Sequence, residues 1–127
     1  MPFARIDLAE GRSDEYRRTI GDVVYDAMID TLGVPQGDRF QVINEHRAPN
    51  FVFDPEYLGI HRSNDCVFIQ VTLLAGRTVD KKSAFYKAIA DGLHERLGMR
   101  REDIVINLVE NSREDWSFGN GEAQYAT

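Results

Sequence analysis

Residues 2–13 read PFARIDLAEGRS and residues 67–78 read VFIQVTLLAGRT. Laid over one another at a shift of 65 residues, they place Gly11-Arg12 on Gly76-Arg77 and Ser13 on its analogue Thr78. Ile6 falls on Val71 and Leu8 on Leu73. Continued without a gap, the same register sets Asp26 on Asp91, Leu32-Gly33 on Leu97-Gly98, Asp38 on Asp103 and Glu45 on Glu110. The apolar pairs Ile20/Phe85 and Val24/Ile89 keep step with it. Periodicity of this kind reports a duplicated structural unit.

Each unit reads as strand, helix, strand. In the first, residues 2–8 form a strand that turns at Glu10-Gly11-Arg12. A helix follows at about 13–32, with Ser13 as its N-cap and Asp14-Glu15 in the first turn, where the helix dipole favours acidic groups. Tyr16, Ile20, Val23, Val24, Ala27, Met28 and Leu32 give it one apolar face. Gly33 stops it, and Phe40–Ile43 is the second strand. In the second unit Val67–Leu73 is a strand, Gly76 a turn and Thr78 a cap. The helix that follows carries Phe85, Ala88, Ile89, Leu93 and Leu97 on one face, Gly98 ends it, and Ile104–Val109 closes the unit.

The expected fold is therefore α+β, with tandem βαβ units forming a four-stranded mixed sheet and two helices on one face. The expected organisation is one domain over residues 1–127. Its units lie at about 2–45 and 67–110, joined by a linker at 46–66 and followed by a tail at 111–127. If the units pair about a pseudo-twofold axis through their first strands, those strands run antiparallel at the sheet centre. Pro2 then lies near Leu74-Ala75-Gly76-Arg77. The equivalent corner sets Arg12 beside Val67, where there is no free amine.

Composition excludes several classes. The chain is 43% hydrophobic and 28% charged, ordinary for a soluble globular protein. A net charge of −6 argues against a nucleic-acid surface, which needs clustered Lys and Arg. No apolar run approaches membrane-spanning length, and the first residues lack the basic and apolar regions of a signal peptide. Cys66 is the single cysteine, so no intrachain disulfide forms, which fits a reducing, cytoplasmic location. Its neighbours mark it as a buried strand residue. His46, His61 and His94 show no ligand spacing, so no metal site is expected. Arg17-Arg18 and Arg100-Arg101 read as solvated faces.

One position carries unusual chemistry. Proline follows the initiator methionine, and methionine is normally trimmed before a small residue. The chain would then begin with a secondary amine at the start of a strand, able to act as base, acid or nucleophile. An ordinary α-amino group titrates near pH 8, and a proline amine is intrinsically more basic.

The segments PFARIDLAEGR (2–12), LGVPQGDRF (32–40) and DWSFG (115–119) together resemble the tautomerase superfamily, in particular the branch that includes malonate semialdehyde decarboxylase. The resemblance covers nearly the whole chain. It implies a catalytic Pro2, a carboxylate at Asp38 that activates water or holds charge, and Arg77 as binder of a substrate carboxylate. It also implies Trp116 and Phe118 as aromatics near the pocket, no metal or organic cofactor, and a homotrimer. One departure stands at residue 75. The decarboxylase has a second arginine there, in an Arg-Pro-Arg pattern, whereas this chain reads Ala75-Gly76-Arg77.

These residues suit proton transfer. Burial among Phe40, Trp116 and Phe118 would lower the Pro2 pKa, Arg77 would push the same way, and Asp38 would oppose both. A neutral Pro2 is a base for keto–enol tautomerisation of a small 2-keto acid. A protonated Pro2 is an acid suited to hydration or decarboxylation of a three-carbon acid. Arg77 offers a planar fork for a carboxylate and for charge on an enolate oxygen. Plainer readings stand beside these: Arg77 as a solvated turn residue, Asp38 as a turn or cap residue like Asp103, and the aromatics as packing. Two βαβ units also occur in non-catalytic ligand-binding modules, so topology alone leaves that class open.

Overall fold

The computed structural model describes residues 2–126. Six main elements run in the order β1 (Phe3–Ala9), α1 (Asp14–Leu32), β2 (Gln41–His46), β3 (Val67–Leu74), α2 (Val79–Leu97) and β4 (Ile104–Asn111). The caps explain the helix ends. The Ser13 hydroxyl accepts from the Tyr16 N–H at 3.1 Å, and the Thr78 hydroxyl from the Lys81 N–H at 3.2 Å. Gly33 and Gly98 close the helices in the left-handed conformation, with φ of 68° and 65°. A residue with a Cβ adopts that conformation only at a steric cost.

The sheet order is β2-β1-β3-β4. β1 and β3 pair antiparallel at the centre, with Phe3 opposite Thr72 and Leu8 opposite Val67. The outer pairs are parallel. This is the mixed sheet expected from the repeat. Strand alternation sends Ala4, Ile6, Leu8, Val67, Ile69, Val71 and Leu73 to one face, all buried. Ile20, Val24 and Met28 of α1 and Phe85, Ile89 and Leu93 of α2 cover that face. The helices meet closely at Gly92, where an added Cβ would lie 2.7 Å from Val23 Cγ1.

Some details differ from the expectation. Cys66 is buried but lies one residue before β3. Burial pushes its thiol up to about 11, with the charge of Asp103 adding to the shift, so it is no nucleophile at neutral pH. Arg18, Arg100 and Arg101 are exposed as expected, but Arg17 is half-buried, and several of these arginines also have partners. Arg17 binds Asp14 and, at 3.1 Å, Glu45, while Arg100 donates to the His61 carbonyl at 3.0 Å. Among the described residues no helix is long and apolar enough to cross a membrane.

Candidate active site

Antiparallel pairing carries the start of β1 to the end of β3. Pro2, fully buried, precedes the Phe3–Thr72 pair on one strand, and Leu73-Leu74 follows it on the other. The chain then turns through Gly76, whose φ of 120° suits a residue without a Cβ, and reaches Arg77. Glu110, on the helix-facing side of β4, accepts from the Gly76 N–H at 3.4 Å and from Lys82 Nζ at 3.0 Å. The Lys82 hydrogen bond holds its carboxyl below the usual range.

Arg77 is not a solvated turn residue. It is half-buried, and its Nε and Nη1 donate to the carbonyls of Leu32 and Leu74, each at 3.2 Å. The guanidinium therefore bridges the end of α1 and the end of β3. Two of its five N–H groups serve those bonds.

A cleft of about 260 Å³ is lined by Pro35, Asp38, Phe118, Gln124 and Tyr125. Asp38 N–H donates to the Pro35 carbonyl at 3.2 Å, closing a turn whose third residue, Gly37, has a φ of 92°. Two residues on, the Phe40 carbonyl accepts from Ala4 N–H at 3.0 Å, which ties this segment to the start of β1. The Phe40 ring lies 5.6 Å from Phe118. Phe118 stacks on Trp116 at 5.3 Å and 3°, and the Trp116 Nε1 donates to Asn111 Oδ1 at 2.9 Å.

Asp38 and Phe118 thus line one cleft, while Phe40 and Trp116 lie outside its lining and pack against Phe118. Pro2 and Arg77 stand outside its lining as well. The sequence reading missed Pro35, Gln124 and Tyr125. The turn signal Pro35-Gln36-Gly37 was available for the first of these. Nothing in the tail marked the other two, because it has no periodicity.

The duplicate corner shows what its arginine does without a proline amine. Glu45 accepts from Gly11 N–H at 3.1 Å, mirroring Glu110 at Gly76. Arg12 lies 4.7 Å over the Tyr16 ring and pairs with the Asp65 carboxylate. The cavity left there is only about 40 Å³. Asp103, the register partner of Asp38, is 1% exposed. It accepts from the N–H and hydroxyl of Ser63 at 2.6 and 2.7 Å. Identical register positions thus serve different ends. Each histidine also has a partner: His46 contacts Asp7 at 2.6 Å, His61 Glu56 at 2.7 Å and His94 the Met99 carbonyl at 3.0 Å.

A tautomerase-enzyme family profile matches residues 38–119, and a second profile of the same description matches residues 2–60. The chain is 42% identical over 124 residues to the probable tautomerase YusQ of Bacillus subtilis (strain 168), covering 98% of each. Among solved structures it is similar to FG41 malonate semialdehyde decarboxylase inhibited by 3-bromopropiolate. That match has 41% identity and a TM-score of 0.91 over 97% of this chain and 93% of the other. A second malonate semialdehyde decarboxylase, with decarboxylase and hydratase activities, matches at 36% identity and a TM-score of 0.91, over 97% and 95% of the chains. Its two strand–helix–strand units, its sheet order and these full-length similarities agree: the chain belongs to the tautomerase family.

Proposed function

We propose that the chain is a cofactor-independent tautomerase that interconverts a small 2-keto acid and its enol, with Pro2, Arg77 and Asp38 as the working residues. Removal of Met1 converts the Pro2 nitrogen from an amide into a secondary amine. The neutral amine takes the enol hydroxyl proton and returns it to the neighbouring carbon as the carbonyl forms. Arg77 binds the carboxylate and stabilises charge on the enolate oxygen. Asp38 holds the proline cation that forms in between. Phe40, Trp116 and Phe118 supply an apolar wall.

The observation that carries this reading is the β1–β3 pairing, which runs the buried start of β1 against the strand that leads into Arg77. The duplicate corner supports the arginine's part, since Arg12 at the matching turn already binds a carboxylate.

A second reading, decarboxylation or hydration of a three-carbon acid, draws on the full-length similarity to two malonate semialdehyde decarboxylases. Ala75 counts against it, because the second cation is absent. One experiment separates the readings. Protein from its native host is expected to lack Met1 by intact mass, to ketonise the enol of phenylpyruvate, and to carry a 3-bromopropiolate adduct on Pro2 alone. Malonate semialdehyde should give little acetaldehyde. Full turnover with Met1 retained would rule out the amine, and acetaldehyde as the faster product would favour the decarboxylase.

The same reading takes the chain as a homotrimer that binds a small carboxylate. The helix-free face of the sheet carries Val42 and Val109, 36% and 42% exposed, together with Phe68 and Val105. Apolar groups on an open face favour burial against further copies. Size-exclusion chromatography with light scattering should return about three times the chain mass. A monomer at micromolar concentration would remove this assignment.

A further inference from the structure

We propose that Gln124 is a positioning residue. Its side-chain amide clamps the tail loop that carries the aromatic wall of the cleft, and so sets the grip on the apolar part of a ligand. That such a ligand is also a substrate rests on the catalytic reading above.

Residues 116–126 belong to no strand or helix, so no backbone ladder holds them in place. Yet they carry the centre of the aromatic cluster. Phe118 stacks on Trp116, tilts against Phe40 and meets the edge of Tyr125 at 5.8 Å and 82°. Between Phe118 and Tyr125 the chain passes through three successive residues of positive φ: Gly119 at 142°, Asn120 at 61° and Gly121 at 69°. Asn120 is not glycine, and a side chain is disfavoured in that region. Asparagine tolerates that region better than most residues, yet three such residues in succession call for support from their surroundings.

Gln124 supplies that support. Its Oε1 accepts from the Phe118 N–H at 2.9 Å, and its Nε2 donates to the Gly119 carbonyl at 2.8 Å. One amide thus satisfies two successive backbone groups across the loop, as a neighbouring strand would. Only a side chain with both a donor and an acceptor does this: glutamate accepts but cannot donate, and alanine does neither. Two internal backbone bonds of the loop, from Glu122 N–H to the Gly119 carbonyl and from Ala126 N–H to the Ala123 carbonyl, are longer at 3.3 and 3.2 Å. Gln124 and Tyr125 also line the cleft, so the clamp and the wall are one unit.

The test uses Q124A and Q124E in the full chain, with 3-phenylpropionate as an unreactive probe. Trp116 is the single tryptophan, so its fluorescence and near-ultraviolet dichroism report the wall directly. In both variants the near-ultraviolet signal should weaken and the Kd for 3-phenylpropionate should rise about tenfold. Far-ultraviolet dichroism should stay unchanged, because the clamp lies outside the sheet and helices. The KM for phenylpyruvate should rise with the Kd, while kcat falls by less than about threefold, the pattern of lost uniform binding. Deuterium exchange into pyruvate, which has no ring, should fall less than exchange into phenylpyruvate.

Unchanged Kd and near-ultraviolet signal in both variants, with wild-type turnover intact, would overturn the clamp. Gln124-dependent binding in a protein that lacks Pro2-dependent turnover would instead sink the catalytic reading and leave the clamp standing.

Discussion

Pro2→Ala is expected to lower kcat/KM for the ketonisation of phenylpyruvate enol by about 10²-fold, the low end of what a positioned acid–base group contributes, because a primary amine remains. The variant still carries a free amine after Met1 is trimmed, so the loss measures what the ring adds. A pyrrolidine nitrogen is more basic than a primary amine, and the ring fixes its direction. The native ring is buried, so its deletion also leaves a small void, costing on the order of 1–3 kcal/mol. The melting temperature therefore has to be followed alongside the rate. A stable variant with wild-type kcat/KM would remove the proline mechanism altogether.

Arg77→Ala should act on both binding and chemistry. Loss of the carboxylate fork and of the charge opposite the enolate oxygen is expected to cut kcat/KM by about 10²–10³-fold. Structure suffers as well, because the carbonyls of Leu32 and Leu74 lose their donors. Leaving such groups unsatisfied costs about 1–3 kcal/mol, or roughly 3–6 °C of Tm per kcal/mol for a chain of this size. Arg77→Lys separates the two effects. It keeps the charge but not the fork, so KM should stay high even where part of kcat returns. Arg12→Ala is the matched control at the duplicate corner. Arg12 and Asp65 are 42% and 54% exposed, and a pair so open to water contributes about 0–1 kcal/mol. Turnover in that variant should match the wild type. Equal losses in Arg12→Ala and Arg77→Ala would mean that both arginines act only as turn supports.

Much of this molecule could be read from local chemistry. Ser13 and Thr78 cap helices because a hydroxyl at that position satisfies an N–H the helix leaves open. Gly33 and Gly98 end them because the left-handed conformation excludes most other residues. The alternation of Ala4, Ile6 and Leu8 with Phe3, Arg5 and Asp7 decides which face of β1 meets the helices. Arg77 was harder. Its turn was visible in the repeat, but its two bonds to carbonyls on different elements were not, because Leu32 lies 45 residues away in the chain. Asp38 and Asp103 occupy one register position, yet one lines a cleft and the other is buried against Ser63.

Repeat, caps and strand alternation follow from residue order alone, since each depends on neighbours a few positions apart or on a pattern that recurs; the central antiparallel pair follows only once a twofold axis is assumed. The cleft does not follow from residue order. Its walls come from residues 35–40 and 116–125, segments without shared periodicity that meet only once the sheet has formed. Side-chain contacts such as those of Gln124 depend on where folding delivers a tail without regular secondary structure. That is a matter of packing in three dimensions, and no one-dimensional pattern encodes it.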